Sequence, residues 1–242
     1  MGANGRIYRI AAKGTKPAAP INFAKLSNDE LLKLHSHRSQ WYVRHARQEM
    51  ARRTNQPEAP ARPFETERID PLAKKASLAL RVSIEQLRQS ALTDAEEISA
   101  LEALWSLHAC DGFDETFADQ LLSSRHAAVR MWTVRLLGDG KKISAEMAHR
   151  LDKFAEQDPS VHVRQQLACT AARLPAHQAM PIINANINRD IDTADPFVPL
   201  LWWWAVERHS VSGRDEVMKR FVRPSLWKSK LGRETLDRKS VG

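Results

Sequence analysis

His126-Ala127-Ala128-Val129-Arg130-Met131-Trp132-Thr133-Val134-Arg135-Leu136-Leu137-Gly138 and Asp158-Pro159-Ser160-Val161-His162-Val163-Arg164-Gln165-Gln166-Leu167-Ala168 carry the same pattern. Each has a turn, then Val-Arg early in a helix, then apolar positions at three-to-four spacing. The two arginines stand 34 positions apart, and Arg44, in Trp41-Tyr42-Val43-Arg44, precedes Arg130 by 86, twice 43. A period of 34–43 suits a repeat unit of two helices. Such a unit buries one side against its neighbour, so the same Val and Leu positions recur in every copy. The arginine after the valine is expected to reach an Asp, a Glu or a helix end of the next unit.

The pattern extends in both directions. Ser27, with Glu30 three residues on, reads as a capping box opening a helix that buries Leu31 and Leu34. After the turn at residues 35–39, a second helix over residues 40–53 completes the first hairpin. Asn55 to Pro63 holds three prolines and is expected to be a loop or insertion. Helix pairs follow: 71–89 with 95–109, 115–123 with 127–137, 144–156 with 159–173, and 178–188 with 195–209. A sixth pair opens at 215–222, and its second member from Pro224 onward is expected to fray. Gly5 to Ile10 alternates and reads as one short strand, with a linker broken by Gly14, Pro17 and Pro20. The predicted organisation is an extended segment over 1–20, a helical repeat domain over 21–223 and a basic, partly disordered tail over 224–242.

Composition agrees with helix and places the charge. Hydrophobic residues make up 43% and charged residues 27%, with only 9 Gly in 242 residues. No apolar run reaches the length of a membrane-spanning helix. The net charge of +8 is unevenly spread. Residues 1–53 hold 11 Lys/Arg against 3 Asp/Glu, residues 54–213 hold 17 against 22, and residues 214–242 hold 9 against 4. A repeat array that tracked a phosphate backbone needs its positive charge along the repeats, so the mildly acidic middle argues against nucleic acid.

Several clusters invite a chemical reading that their spacing does not sustain. Cys110 and Cys169 both fall in apolar helical contexts and read as reduced core thiols. His35, His37 and His45, with Glu49 four residues past His45, lack a converging thiolate or second carboxylate for a metal. Glu96, Glu97 and Glu102 spread over different helix faces, and the first two complement a helix dipole. Gly138-Asp139-Gly140 is a helix stop followed by a loop. Trp202, Trp203 and Trp204 are consecutive and so about 100° apart around a helix; they cannot all face the core. At least one is expected on an open face.

Read together, several segments resemble a narrower family. Gly5-Arg6-Ile7-Tyr8-Arg9-Ile10, the Pro17/Pro20 linker, Trp41-Tyr42-Val43-Arg44 and Ala103-Leu104-Trp105-Ser106-Leu107 come in fixed order. Val129-Arg130 with Leu136-Leu137-Gly138-Asp139 follows, and then Asp195-Pro196-Phe197-Val198-Pro199-Leu200 running into the three tryptophans. The series resembles the HEAT-repeat region of the large membrane-bound dehydrogenase-like proteins of planctomycetes and verrucomicrobia. In those proteins a propeller precedes the repeats and a c-type cytochrome domain follows. The resemblance covers Gly5 to Val222, and it implies that Gly5 to Ile10 is a last propeller strand. It excludes the parts that would carry dehydrogenase or haem chemistry, since this sequence has no Cys-x-x-Cys-His.

The expected fold is therefore all-α: a right-handed α-α superhelix of the HEAT/armadillo type, with five to six helix pairs. The expected function is a non-catalytic scaffold with no cofactor. Its protein partner would be a propeller or cytochrome c domain, docked on a surface that includes Trp41, Arg44, Arg130, Arg164, Trp202, Trp203 and Trp204. Nucleic-acid binding by a HEAT-like repeat is the alternative. No secretory signal is read in Met1 to Ile10, so the chain as it stands is expected in the cytoplasm, whereas the resembled family is exported.

Overall fold

The computed structural model describes residues 14, 19–55 and 71–237; for residues 71–80, 225 and 234–237 it describes the backbone alone. The expected strand at Gly5 to Ile10 and most of the loop expected over Asn55 to Pro63 lie outside the described residues. Within them every regular element is helical.

The α-helices are α1 (Asn28–Lys33), α2 (Gln40–Thr54), α3 (Pro71–Thr93), α4 (Glu97–Ala109), α5 (Glu115–Leu121), α6 (Ala127–Leu137) and α7 (Ala145–Gln157). They continue with α8 (Val161–Ala171), α9 (Ala176–Ile187), α10 (Val198–Arg208), α11 (Arg214–Phe221), α12 (Pro224–Lys228) and α13 (Lys230–Asp237). Short polar side chains set several of the starts. Ser27 Oγ accepts from Glu30 N at 3.2 Å while Glu30 Oε2 accepts from Ser27 N at 2.7 Å, a closed capping box. These bonds hold the Glu30 carboxyl below its usual range. Asp114 accepts from Phe117 N at 2.7 Å and Ser144 from Met147 N at 3.0 Å, so α5 and α7 are capped alike.

Contacts run between alternate helices. One series is α1, α3, α5, α7, α9 and α11; the other is α2, α4, α6, α8, α10 and α13. Each member touches the next in its own series. Sequence neighbours such as α3 and α4, or α5 and α6, touch across the two. The apolar residues between the series form two clusters. One runs from Leu31 through Leu104 to Leu136, the other from Ala118 through Leu167 and Trp202 to Leu231. Helices α5 and α6 contribute to both: Phe117 and Val129 belong to the first, Ala118 and Val134 to the second. Neighbouring helices of one layer thus complete each other's core.

Close approach is achieved by small residues. Gly138 ends α6, and a Cβ there would lie 2.8 Å from Thr170 Cγ2 and 2.9 Å from Arg173 Nη2. A Cβ on Gly213, ahead of α11, would collide with the Ala176 side chain at the start of α9.

The carboxyl-terminal segment differs from the frayed tail expected. Residues 224–237 form α12 and α13, with Leu226 and Leu231 buried against α10 and its neighbours. Ser229 Oγ donates to Ile187 O at 2.7 Å, and Leu231 N donates to Asp190 Oδ1 at 3.0 Å. Two buried leucines and a polar bridge suffice to seat helices whose overall composition is hydrophilic.

Candidate functional site

The Val-Arg signature resolves into two similar rungs, at Arg130 and Arg164; Arg44 forms none among the described residues. Arg130 Nε donates to Asp158 Oδ2 at 2.7 Å, and Arg164 Nε donates to Asp192 Oδ2 at 2.5 Å. Each arginine also returns an Nη1 bond to a carbonyl six residues before it, Ser124 O at 2.8 Å and Asp158 O at 2.9 Å. Asp158 belongs to both rungs: its carboxylate takes Arg130 and its carbonyl takes Arg164. Both pairs are shielded, with side-chain exposures of 11% and 1% for Arg130–Asp158, and 4% and 7% for Arg164–Asp192. Other ties repeat at similar spacing. Arg189 donates to Ala155 O at 2.9 Å, His209 Nε2 lies 2.9 Å from Ala171 O, and Arg173 pairs with Asp139.

This geometry corrects the expected surface. Arg164 and Trp202 are buried and Arg130 is nearly so, so none of the three presents itself to a partner. The arginines are drawn inward by carboxylates 28 residues later. Trp202 lies on the core side of α10, wholly shielded, whereas Trp203 is half-buried and Trp204 is 49% exposed. Trp41 is also 49% exposed, packed on Phe23, Tyr42 and His45. Arg44 is exposed.

An aromatic and cationic stack crosses the second series of helices. The Arg47 guanidinium sits 5.4 Å from the Trp105 ring centre, Trp105 meets Trp132 edge to face at 5.0 Å, and the Arg135 guanidinium lies 5.1 Å from Trp132. Three helices, α2, α4 and α6, supply it. Arg47 also pairs with Glu102, which is 3% exposed. Sequence reading left these residues out of the candidate surface. The signal was present in α6, where Ala128, Met131, Trp132 and Arg135 recur at outward helical spacing while Val129, Thr133 and Val134 are buried.

The remaining clusters find structural partners. Glu49 pairs with Arg52 and Arg53, and the bond from Arg52 is the main cause that lowers its carboxyl to about 2. His45 stacks on Phe23 and Trp41. His35 joins Leu31 O at 3.0 Å and Ser106 Oγ at 2.7 Å, and burial pushes its pKa down. Ser106 is fully buried. Cys110 is buried as expected, but Cys169 is exposed, since it occupies the outward turn of α8 that corresponds to Arg135 in α6. Among the described residues no three His, Cys, Asp or Glu side chains converge as a metal site would require. No helix there is long and apolar enough to cross a membrane.

The described residues line several open clefts, of which three bear on the argument. One, about 490 Å³, includes Asp29, Lys33, His35 and Asp94. A second, about 410 Å³, runs between α5 and α7 past Glu115, Asp119, Glu146, Arg150 and Lys153. The third, about 320 Å³, lies between α2 and α4 beside the Arg47–Trp105 stack. Comparison of the chain with family models, curated proteins and solved structures finds no match.

Proposed function

We propose that this chain is a right-handed α-α superhelix of the HEAT type and acts as a non-catalytic scaffold that docks a partner protein. The observation that carries the reading is the pair of like-bonded rungs, Arg130–Asp158 and Arg164–Asp192, set 34 residues apart. Repeated ties at fixed spacing are what serial stacking of equivalent hairpins requires, and such stacking leaves a continuous face along one series of helices for recognition. That face carries Arg44, Trp105, Trp132, Arg135 and Trp204, and aromatic and arginine side chains are the types that dominate protein docking energetics.

The resemblance to propeller–HEAT–cytochrome proteins makes a propeller or a c-type cytochrome domain the first partner to try. The test is sedimentation of the full chain with each such domain encoded beside it. A stable one-to-one complex supports the scaffold role; sedimentation of the chain alone in both mixtures overturns that choice of partner. Nucleic-acid binding is the second reading, favoured by the +8 of residues 1–53 and the +5 of residues 214–242. It predicts DNA binding that weakens steeply with added salt.

A further inference from the structure

The three clefts differ in charge. With histidines neutral, the cleft at Asp29 and Asp94 holds one lysine against two carboxylates, and the cleft between α5 and α7 holds three carboxylates against two cations. The cleft between α2 and α4 has the opposite balance, Arg44 and Arg47 against Glu102 alone. Glu102 is buried and already neutralised by Arg47. Arg44 is exposed there and, among the described residues, has no hydrogen-bond or ion-pair partner. The cleft thus presents one uncommitted guanidinium.

Part of its lining is apolar. Leu101 and Trp105 line it, and Ile98 stands at the rim 67% exposed, a large apolar side chain left in solvent. The Trp105 indole is held between the Arg47 guanidinium and Trp132. At about 320 Å³ the space admits one or two side chains of a larger partner.

The positive charge is local. In α8 the turns corresponding to Trp132 and Arg135 carry Gln166 and Cys169, and beside them stand His162 and Gln165. A phosphate backbone following this face would find no lysine or arginine at these positions of α8. A short acidic segment needs only one or two cations beside an apolar foothold.

We propose that the α2–α4 cleft docks an acidic peptide segment of a partner protein. A carboxylate of the segment meets the Arg44 guanidinium, and an adjacent apolar side chain lies on Ile98, Leu101 and Trp105. This deepens the scaffold reading and rests on it.

The experiment measures fluorescence anisotropy of labelled probes titrated with the full chain. The probes are a peptide repeating Glu-Phe-Asp, its neutral counterpart repeating Gln-Phe-Asn, and oligothymidylate. The variants are Arg44→Glu and Arg208→Glu, which change net charge equally; Arg208 is exposed on α10, far along the series. Arg44→Gln serves as the milder replacement, and circular dichroism checks that each variant is folded. The expected result is binding of the acidic peptide that weakens about tenfold or more in Arg44→Glu and less than about twofold in Arg208→Glu. Equal losses in the two variants, equal binding of the neutral peptide, preference for oligothymidylate, or no binding of the acidic peptide would each overturn the proposal. If a partner domain binds the chain and Arg44→Glu leaves that complex intact, the cleft assignment fails while the scaffold reading stands.

Discussion

Removing one half of the Arg164–Asp192 rung should destabilise the fold far more than its surface analogues. Arg164 donates to Asp192 through Nε at 2.5 Å and Nη2 at 2.6 Å, and to Asp158 O at 2.9 Å, and both side chains are at least nine-tenths shielded. Arg164→Leu strands a buried carboxylate and a buried carbonyl, which costs about 3–5 kcal/mol. For a protein of this length that lowers the melting temperature by about 6–20 °C. The paired replacement Arg164→Leu with Asp192→Leu removes both charges together, and burying apolar groups offsets most of the loss. It should recover at least about half of the single-variant cost, a coupling that a double-mutant cycle reads directly. The assay is urea unfolding followed by circular dichroism at 222 nm, on wild type, both single variants and the double. Arg150–Asp119, with exposures of 35% and 54%, supplies the control and should cost under about 1 kcal/mol. Equal costs for the two pairs, or a double variant no better than the sum of its singles, would refute the argument.

Acid sensitivity should trace in part to Glu49. Its folded carboxyl titrates near 2 rather than near its ordinary 4.5, so its contribution is complete above about pH 4.5 and is lost as pH falls towards 2. Glu49→Gln should flatten stability over that window by about 1–3 kcal/mol, measured by urea midpoints at a series of pH values. Gly138→Ala should cost about 1–3 kcal/mol, because the new methyl meets the buried Thr170 Cγ2. Adding Thr170→Ser removes that methyl while keeping the hydroxyl that donates to Val134 O, and should restore part of the midpoint. Ser27→Ala opens the capping box of α1 and should cost about 1 kcal/mol, read in the same way.

The all-helical character was legible from apolar residues at three-to-four spacing, and the Val-Arg stretch recurs in α6 and α8. Val129 and Val163 are both fully buried, and the arginine after Val129 reaches a carboxylate of the following unit. The identity of that carboxylate was not legible, since Asp158 and Asp192 lie in turns whose course depends on the packing they help to fix. Consecutive tryptophans at 202, 203 and 204 established that one must leave the core; only tertiary contacts decided that it is Trp204. Cys169 was read as core from the apolar residues around it, but its helical phase matches Arg135 and places it outward. The Trp105–Trp132 contact joins residues on two helices, so no single amphipathic pattern reveals it. The seating of α12 and α13 was not legible, because composition averages over residues whereas it depends on Leu226, Leu231 and Ser229 individually.

The proposed superhelix requires hairpins stacked in line, each touching its neighbours and no further. Pairwise distances between nitroxide labels test this most directly. The native Cys169 labels α8, and introduced cysteines at His108, Arg135 and Trp204 label α4, α6 and α10, with Cys110 replaced by Ser. Stacked helices are spaced about 8–10 Å apart, so separations should grow by roughly that step, and α4 to α10 should be the longest at about 24–30 Å. If the labels on α4 and α10 lie no further apart than those on adjacent helices, the chain folds back on itself and the serial arrangement is wrong.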